Sequence, residues 1–580
     1  MTGPTEDRLA LASEQDQHAA ADWEKITAAV LRKSGRLTDE DADAAVWTKL
    51  ARTTLDGISV APIGTPADLE GLVTAGRPTR EGAWDIRAQY DGPDAKAVNQ
   101  AILADLNGGV TSLWIQLGAG LTAADVAPVL EGVDLSIAPV VVDGGVEGAE
   151  ALAALAGLHA DSNLGADPLA AQLRGGPAAD LSQLATVAKL AQEKGVRGVV
   201  VDATAAHDLG ASDAQELGYA LYAGVSYLRA LVDAGLSVED AAGQIDFRIA
   251  ATDEQFPTIA KFRAARRLWA RVLELSGAAE ESRVARIHGV TSRPMLAKYD
   301  PYVNMLRTTV ASFAAGVGGA EAVTVLPFDS ALGVPDAFGR RIARNTNHLL
   351  IDESHVAKVA DPAGGSYAVE KLTDDLAKVA WEVLGEIETA GQGALEVLTA
   401  RIATTVETRE KQIAQRKRPL TGVTEFPNLG ETLPERAPSP VADAVRRYGA
   451  SFEALRDEPA TSPVFLATLG PVAQHTARAT FITNLLAAGG IAVEVAGPTA
   501  DAADLATKYA GQKVVVLAGT DKAYAEWGAD AISALREAGA AYVILAGKPG
   551  DLTVDDSAAM GVDALAFLNR TRAQLEGVLA

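Results

Sequence analysis

The chain has 580 residues, 48% of them hydrophobic and 22% charged, with a formal net charge of −25 and no cysteine. This length exceeds what one hydrophobic core usually supports, so we expect at least two domains. The acidic balance argues against nucleic-acid binding, which needs a basic face, and the missing cysteines exclude disulfides and thiolate metal sites. No apolar run approaches the ~20 residues of a membrane-spanning helix, and residues 1–21 lack a signal-peptide core. We therefore expect a cytoplasmic protein without a nucleic-acid or membrane partner.

The first 45 residues form a polar leader followed by a helical pattern. Asp22, just before Trp23, is a plausible N-cap for a helix that runs to about Arg32. We expect residues 1–45 to form a helical arm rather than a domain.

Short apolar runs alternate with helical patterns over residues 46–400, which indicates parallel strands with crossover helices. The predicted strands are 58–63, 112–117, 137–142, 198–202, 245–250, 284–289 and 323–327. Most of these runs are continuously apolar, as expected for a parallel sheet that is covered on both faces. Seven or eight βα units over this length predict a (β/α)8 TIM-type barrel.

Residues 401–462 begin as helix and then become proline-rich, which is typical of a linker on the surface. A second βα series fills residues 463–580, with predicted strands at 464–469, 491–495, 514–518, 542–546 and 564–568. Five strands in this length predict a flavodoxin-like doubly wound domain. The fold class is therefore α/β, a barrel followed by a flavodoxin-like domain.

Two local patterns allow more than one interpretation. Residues 118–123 and Asp143 imitate a dinucleotide-binding fingerprint, but the same glycines suit a tight turn at the carboxyl end of a barrel strand, and the barrel rhythm favours the turn. The basic residues of the helix 263–271 are typical of a solvated face or of ion-pair partners.

Two of the seven histidines lie where functional groups collect. His207 follows the strand 198–202 between Asp202 and Asp208, at the barrel end that carries catalytic groups, so an acid–base role is one interpretation. His475 lies between the first strand of the second domain and its helix, where flavodoxin-like domains bind ligands. It could bind the metal of a corrin or cap the turn.

Several long motifs in order identify a family resemblance. They are DG at 56–57, AGVSYLR at 223–229, RAARRLW at 263–269, DPYVN at 300–304, RTT at 307–309, RIARNT at 341–346 and DPAGGSY at 361–367. Together they resemble the methylmalonyl-CoA mutase family across nearly the whole chain. The resemblance implies a barrel whose axis carries the CoA substrate and a C-terminal domain that holds adenosylcobalamin against it. That cofactor supplies the radical chemistry, and the protein supplies binding and orientation.

The barrel departs from the family pattern at three places. Only residues 81–83 separate Arg80 from Trp84, so the family's loop with a tyrosine over the substrate is deleted. The family's substrate-carbonyl histidine aligns with Ala205, and a shift of two strand positions would move His207 by about 6.5 Å, too far for the same hydrogen bond. The family's Arg-x-His segment is kept at 286–288, but the polar residues that follow it have become 289–290, glycine and valine.

The second domain departs from the family's Asp-x-His-x-x-Gly motif. The histidine is kept as His475, but Ala473 replaces the aspartate that orients it and Arg478 replaces the glycine that admits the nucleotide tail. Losing such an orienting partner typically lowers metal affinity about 10- to 100-fold. The family's Ser-x-Leu and double-glycine segments are also altered, at 519–521 and 546–547.

These departures predict the non-catalytic small subunit of a heterodimeric mutase. The homologous large subunit would bind adenosylcobalamin and interconvert (R)-methylmalonyl-CoA and succinyl-CoA, so the chain would be an isomerase subunit that is inactive alone. We assign it no catalytic residue and no metal site, and His475 is the one cofactor-binding candidate. The arm around Trp23 is a candidate interface element. Two alternatives stay open, an independently active mutase and a corrinoid-binding or chaperone-like module that acts through His475.

Overall fold

The computed structural model describes residues 13, 18–72, 78, 80–439 and 444–577. Within them the chain forms a closed eight-stranded barrel and a separate five-stranded sheet. All neighbouring strands in both sheets are parallel. The predicted α/β class, a TIM-type barrel followed by a doubly wound sheet, is confirmed.

The strands are β1 Arg52–Thr53, β2 Ser59–Val60, β3 Asp85–Tyr90, β4 Ser112–Gln116, β5 Val140–Asp143, β6 Asn163–Ala166, β7 Arg197–Asp202, β8 Ile245–Ala251, β9 Arg286–Thr291, β10 Ala322–Thr324, β11 Val464–Thr468, β12 Val493–Val495, β13 Val514–Ala518, β14 Tyr542–Ala546 and β15 Asp556–Ala558. The α-helices are α1 Ala20–Lys33, α2 Ala45–Leu50, α3 Ala95–Asn107, α4 Val126–Val129, α5 Gly145–Ala153, α6 Pro168–Leu173, α7 Gln183–Lys194, α8 Thr204–Asp208, α9 Asp213–Asp233, α10 Val238–Gly243, α11 Gln255–Leu275, α12 Val303–Val317, α13 Ala337–His348, α14 Tyr367–Thr389, α15 Ala394–Ala414, α16 Ala450–Asp457, α17 Val472–Ala488, α18 Ala502–Lys508, α19 Asp521–Glu537 and α20 Ala564–Glu576.

The barrel runs from β3 to β10 in chain order and closes where β10 pairs with β3. The predicted strand 58–63 is wrong as a barrel strand, because its centre, β2, pairs with β1 in a two-stranded antiparallel sheet. The first barrel strand is instead β3, whose alternating sequence DIRAQY gives no continuous apolar run. Strand β6, with the sequence NLGA, lacks the β-branched and aromatic residues that indicate a strand and was also not predicted.

The C-terminal sheet has the order β12-β11-β13-β14-β15, so the order in which strands are added reverses between β11 and β13 while all strands stay parallel. The predicted strand 564–568 is wrong. This run begins α20, because the Asp563 side chain accepts a hydrogen bond from Ala566 N and caps a helix there. The fifth strand is the short β15. One face of the sheet shares an apolar cluster with Ala297, Ile413 and Val423, which lie outside the sheet domain.

The N-terminal arm forms the predicted helix, as α1, but its cap differs from the prediction. The N-cap is Ala19, and Asp22 lies in the first turn, where its carboxylate accepts a hydrogen bond from Ala19 N at 3.0 Å. The rings of Trp23 and Trp47 lie 4.5 Å apart and hold α1 against α2. Helix α15 runs across the predicted boundary at 400–401. The boundaries at 45–46, 400–401 and 462–463 stay a prediction.

The basic helix α11 forms ion pairs with α14. Arg263 lies 2.8 Å from Glu370, and Arg267 lies 2.7 Å from Asp374. These residues therefore belong to a packed helix interface. In the part of the chain that the structure describes, no helix is both long and apolar enough to cross a membrane.

Candidate functional site

Two large side chains meet across the barrel axis. Trp114 lies on β4 and Arg248 on β8, four strands apart in a barrel of eight and therefore on opposite walls. The Arg248 guanidinium stacks on the Trp114 ring at 3.9 Å, and each side chain is only 1% exposed. Such a cation–π contact is strongest when water is excluded. The axis is therefore filled at this level.

Carboxylates from two further strands compensate the charge of Arg248. Its Nη1 lies 2.7 Å from Asp143 on β5 and 2.9 Å from Asp202 on β7, and Arg174 lies 2.7 Å from the same Asp202. Burial favours the neutral acid, but the charges of Arg174 and Arg248 outweigh it and hold the pKa of Asp202 well below its usual value. The cluster is a buried ionic network that links three strands.

His288 belongs to the same network. Arg248 Nε lies 3.3 Å from its Nδ1, and its Nε2 lies 2.7 Å from the Thr324 hydroxyl. Burial, with the charges of Arg87 and Arg248, lowers the pKa of His288 well below its usual value. The ring is therefore neutral at physiological pH and cannot serve as a proton donor of ordinary strength.

His207 lies outside the axis, within an internal hydrogen-bond network. Its Nε2 lies 2.7 Å from the Ser292 hydroxyl and its Nδ1 3.4 Å from Glu216, whose carboxylate lies 2.7 Å from Lys261 Nζ. The expected strand geometry was wrong, because β7 ends at Asp202 and His207 lies on the short helix α8. A two-residue shift from Ala205 turns the side chain by about 200° on a helix.

The shortened segment before β3 is packed against the barrel. Trp84 is buried and donates its indole N–H to Asn347 Oδ1 at 2.9 Å. Arg80 donates to the Gly316 carbonyl at 3.0 Å and lies over the Trp84 ring. Thr79, which precedes it, lies outside the described residues.

A cavity of about 630 Å³ opens at the carboxyl ends of β4 to β7. Gly118, Asp143, Asp202 and Arg248 are among its lining residues, so the ionic network reaches this cavity. The glycine turn leads into a 3-10 turn and the four-residue helix α4. Asp143 pairs with Arg248 and accepts a hydrogen bond from the Trp114 indole, so its carboxylate is already occupied. The turn interpretation of residues 118–123 therefore fits better than dinucleotide binding.

In the C-terminal domain, His475 lies in the first turn of α17 and is 7% exposed. Its Nδ1 lies 3.2 Å from the Gly470 carbonyl oxygen. Ala473 and His475 are two positions apart on this helix, and such positions do not face each other. A carboxylate at 473 would therefore point away from this ring.

Arg478 spans the crevice at the carboxyl ends of β11, β13 and β14, next to the point between β11 and β13 where the strand order reverses. It donates to the Gly519 carbonyl at 2.7 Å and pairs with Asp521 at 2.5 Å. Its guanidinium lies over the Tyr524 ring at 4.8 Å. A Cβ atom at Gly547 would approach it within 3.2 Å. Ligands of doubly wound sheets bind in this crevice.

Sequence comparison places the chain among known proteins. The family model described as methylmalonyl-CoA mutase matches residues 177–499. A Streptomyces virginiae protein named methylmalonyl-CoA mutase small subunit is 44% identical across 98% of this chain and 99% of its own length. The chain belongs to the methylmalonyl-CoA mutase family. A Mycobacterium tuberculosis relative named probable methylmalonyl-CoA mutase small subunit is 42% identical over 90% of this chain and 92% of its own. One from Propionibacterium freudenreichii, also named small subunit, is 35% identical over 97% and 96%.

The C-terminal crevice of this family member does not fit a cobalamin. One ring nitrogen of His475, Nδ1, lies next to the Gly470 carbonyl oxygen, and metal-binding histidines use the same arrangement. However, the ring is almost fully buried, and Arg478 lies between α17 and the ends of β13 and β14 with three anchoring contacts. A nucleotide tail that enters there would have to displace this side chain.

Sequence reasoning identified Arg478 but missed Arg248 and Trp114. The signal for Arg248 was available, because a single arginine stands within the apolar strand IDFRIAA. A charge in such a strand must be paired in the interior. Trp114, its contact on the opposite wall, could not be found without the strand order and the register.

Proposed function

We propose that this chain is the non-catalytic small subunit of a heterodimeric methylmalonyl-CoA mutase. It would stabilise a homologous large subunit that binds adenosylcobalamin and interconverts (R)-methylmalonyl-CoA and succinyl-CoA. The chain is then part of an isomerase but inactive alone. Three full-length relatives that bear the name small subunit support this assignment.

The observation that carries the proposal is the contact between Arg248 and Trp114. The family resemblance implies a CoA substrate along the barrel axis, and here the two side chains close that axis from opposite walls. Opening it would separate Arg248 from Asp143 and Asp202 and leave buried charges without partners. Breaking a buried ion pair typically costs about 3–5 kcal/mol. A substrate that must first break this network would lose most of its binding energy.

We assign the cobalamin to the large subunit. The chemistry that the cofactor supplies when bound is radical generation. In this chain Arg478 crosses the crevice that a nucleotide tail needs, and the His475 ring is almost fully buried. Both features support a cofactor that is held by the partner chain.

The N-terminal arm supports the expected partnership. Ile26 and Val30 lie one turn apart on α1 and are 69% and 62% exposed, while Trp23 and Trp47 pack beneath the helix. Aromatic residues with adjacent apolar side chains are typical of interface anchors. We assign this apolar face of α1 to the contact with the large subunit.

Co-expression tests the proposal. The chain is purified with and without a homologous large chain that retains the Asp-x-His-x-x-Gly motif, and mutase turnover is measured. We expect a one-to-one complex that turns over and no turnover by this chain alone. Turnover by the isolated chain with added adenosylcobalamin would contradict the non-catalytic role, and failure to form a complex would contradict the partnership.

A matched pair of variants tests the arm. We expect Ile26→Glu with Val30→Glu to lower the yield of the complex strongly, because the change places two charges in an apolar contact. Val232→Glu, an exposed apolar position on α9, is the control and should leave the yield unchanged. Equal yields for both variants would exclude the arm as an interface.

A further inference from the structure

A second cavity, of about 290 Å³, lies on the outer side of the barrel wall. It is bounded by β3, by the segment after β10 and by helices α3 and α13. Its volume lies near the lower end of the range for small-molecule sites. The cavity is separate from the Arg248–Trp114 contact, since neither of these residues lines it.

Most of the wall of this cavity is apolar. Typical lining residues are Ile86, Val98, Ala101, Val325, Leu326 and Ala343. Sites for organic ligands are usually built in this way, with an apolar wall and a few polar groups that set orientation.

Cationic groups are in excess at one end of the cavity. Arg344 lies 2.7 Å and Arg340 3.8 Å from the same carboxylate, that of Asp105, which also accepts a hydrogen bond from the Tyr90 hydroxyl at 3.1 Å. Among the described residues, these two guanidiniums form ion pairs with no other acid. The two arginines and Asp105 together therefore carry one net positive charge, and the further lining acids Asp91 and Asp94 form no ion pair with either arginine.

An unsatisfied donor lies beside these arginines. Asn347 is 1% exposed and lines the cavity, and its Oδ1 accepts the Trp84 indole N–H. Since an indole N–H can only donate, the amide must present its oxygen to Trp84, and Nδ2 is left without a partner. Arg344 Nε is a second buried donor without a partner. Buried donors without acceptors are costly, so the polar end of the cavity suits an acceptor.

We infer that this cavity binds a small organic carboxylate with an apolar tail. The carboxylate would accept hydrogen bonds from Arg340, Arg344 and Asn347, and the tail would lie against the apolar wall. This inference is independent of the proposed function, because a non-catalytic subunit needs no such ligand. Charge-assisted hydrogen bonds are stronger than neutral ones, so an anion should bind better than an uncharged analogue of equal length.

Calorimetric titration of the full chain with hexanoate, 1-hexanol and hexylammonium tests this inference. We expect hexanoate to bind at least about tenfold more tightly than 1-hexanol, a difference of about 1.4 kcal/mol. Hexylammonium should bind most weakly. Equal affinities for the three probes, or no detectable binding of hexanoate at millimolar concentrations, would overturn the inference.

Matched variants locate the site. Arg340→Gln should reduce the preference for hexanoate over 1-hexanol by about five- to tenfold, whereas Arg341→Gln on the exposed side of α13 should leave it unchanged. Ala101→Phe should fill the cavity and abolish binding of both probes. Ala97→Phe, at another lining position, replaces it if the first variant does not fold. Hexanoate binding that survives cavity filling, or an equal effect of both arginine variants, would place the site elsewhere.

Discussion

The barrel and the C-terminal domain each contain an arginine where the family resemblance implies a ligand, but the two arginines differ in environment. Arg248 is almost fully buried and is held by two carboxylates and the Trp114 ring. Arg478 is held by a carbonyl, by the exposed Asp521 and by the Tyr524 ring. Both side chains lie where the family resemblance implies a ligand, yet only Arg248 is part of a core.

This difference separates two ways of closing a site. A buried charge depends on its partners, so the Arg248 network has become part of the stability of the barrel. A surface pair is screened by water and contributes little, so Arg478 obstructs the crevice while adding little to the stability of the fold. We therefore expect that opening the barrel axis costs more free energy than opening the crevice. The following predictions test this contrast, from the largest expected effect to the smallest.

Arg248→Met should give the largest loss of stability. The substitution leaves Asp143 and Asp202 in the interior without the charge that compensates them. We expect a decrease of about 3–5 kcal/mol in the free energy of unfolding. Chemical denaturation followed by circular dichroism measures it.

Arg229→Met is the control for this prediction. Arg229 is 64% exposed in its side chain and pairs with Glu388 at 3.1 Å on the surface. We expect a loss below about 1 kcal/mol. Similar losses for the two variants would mean that the Arg248 network does not stabilise the barrel.

Asp167, beside the buried network, should give a pH-dependent effect of intermediate size. Burial and the charge of Asp202 raise the pKa of Asp167 to about 6, although hydrogen bonds from Tyr227 and from backbone amides oppose the shift. The Asp167 carboxyl therefore holds its proton more strongly in the folded chain than in the unfolded chain, where its pKa is near 3.8. The contribution of Asp167 to the free energy of unfolding is fully present below about pH 4, and it is lost as the pH rises through about 6.

The test compares the wild type with Asp167→Asn between pH 4 and 7. The wild type should lose about 1–3 kcal/mol relative to the variant over this interval. Asp233→Asn, at an exposed position, should follow the wild type at every pH. Parallel curves for the wild type and Asp167→Asn would show that Asp167 ionises normally.

Arg478→Ala should have the smallest effect on stability. Its partner Asp521 is 88% exposed in its side chain, and the remaining contacts lie at the edge of the crevice. We expect a loss of about 0.5–1 kcal/mol in the free energy of unfolding. A loss comparable to that of Arg248→Met would remove the contrast between the two domains.

The sequence predicted the two-domain α/β fold because most strands are continuously apolar and the turns are rich in glycine. It failed where tertiary packing decides the structure. Strand β3 alternates because Arg87 and Gln89 are polar residues within a barrel strand, and the run 564–568 has a strand-like composition but begins a helix. The crevice residue Arg478 was found because it interrupts a motif. The contact between Arg248 and Trp114 depends on strand order and could not be read from spacing.

The ratio of cobalamin to protein tests the central claim most directly. The isolated chain and its complex with the large subunit are titrated with adenosylcobalamin and followed by visible absorption. We expect no spectral change with the isolated chain, one cobalamin per heterodimer, and the same ratio when this chain carries His475→Ala. Two cobalamins per heterodimer, or tight binding by the isolated chain that His475→Ala abolishes, would contradict the account.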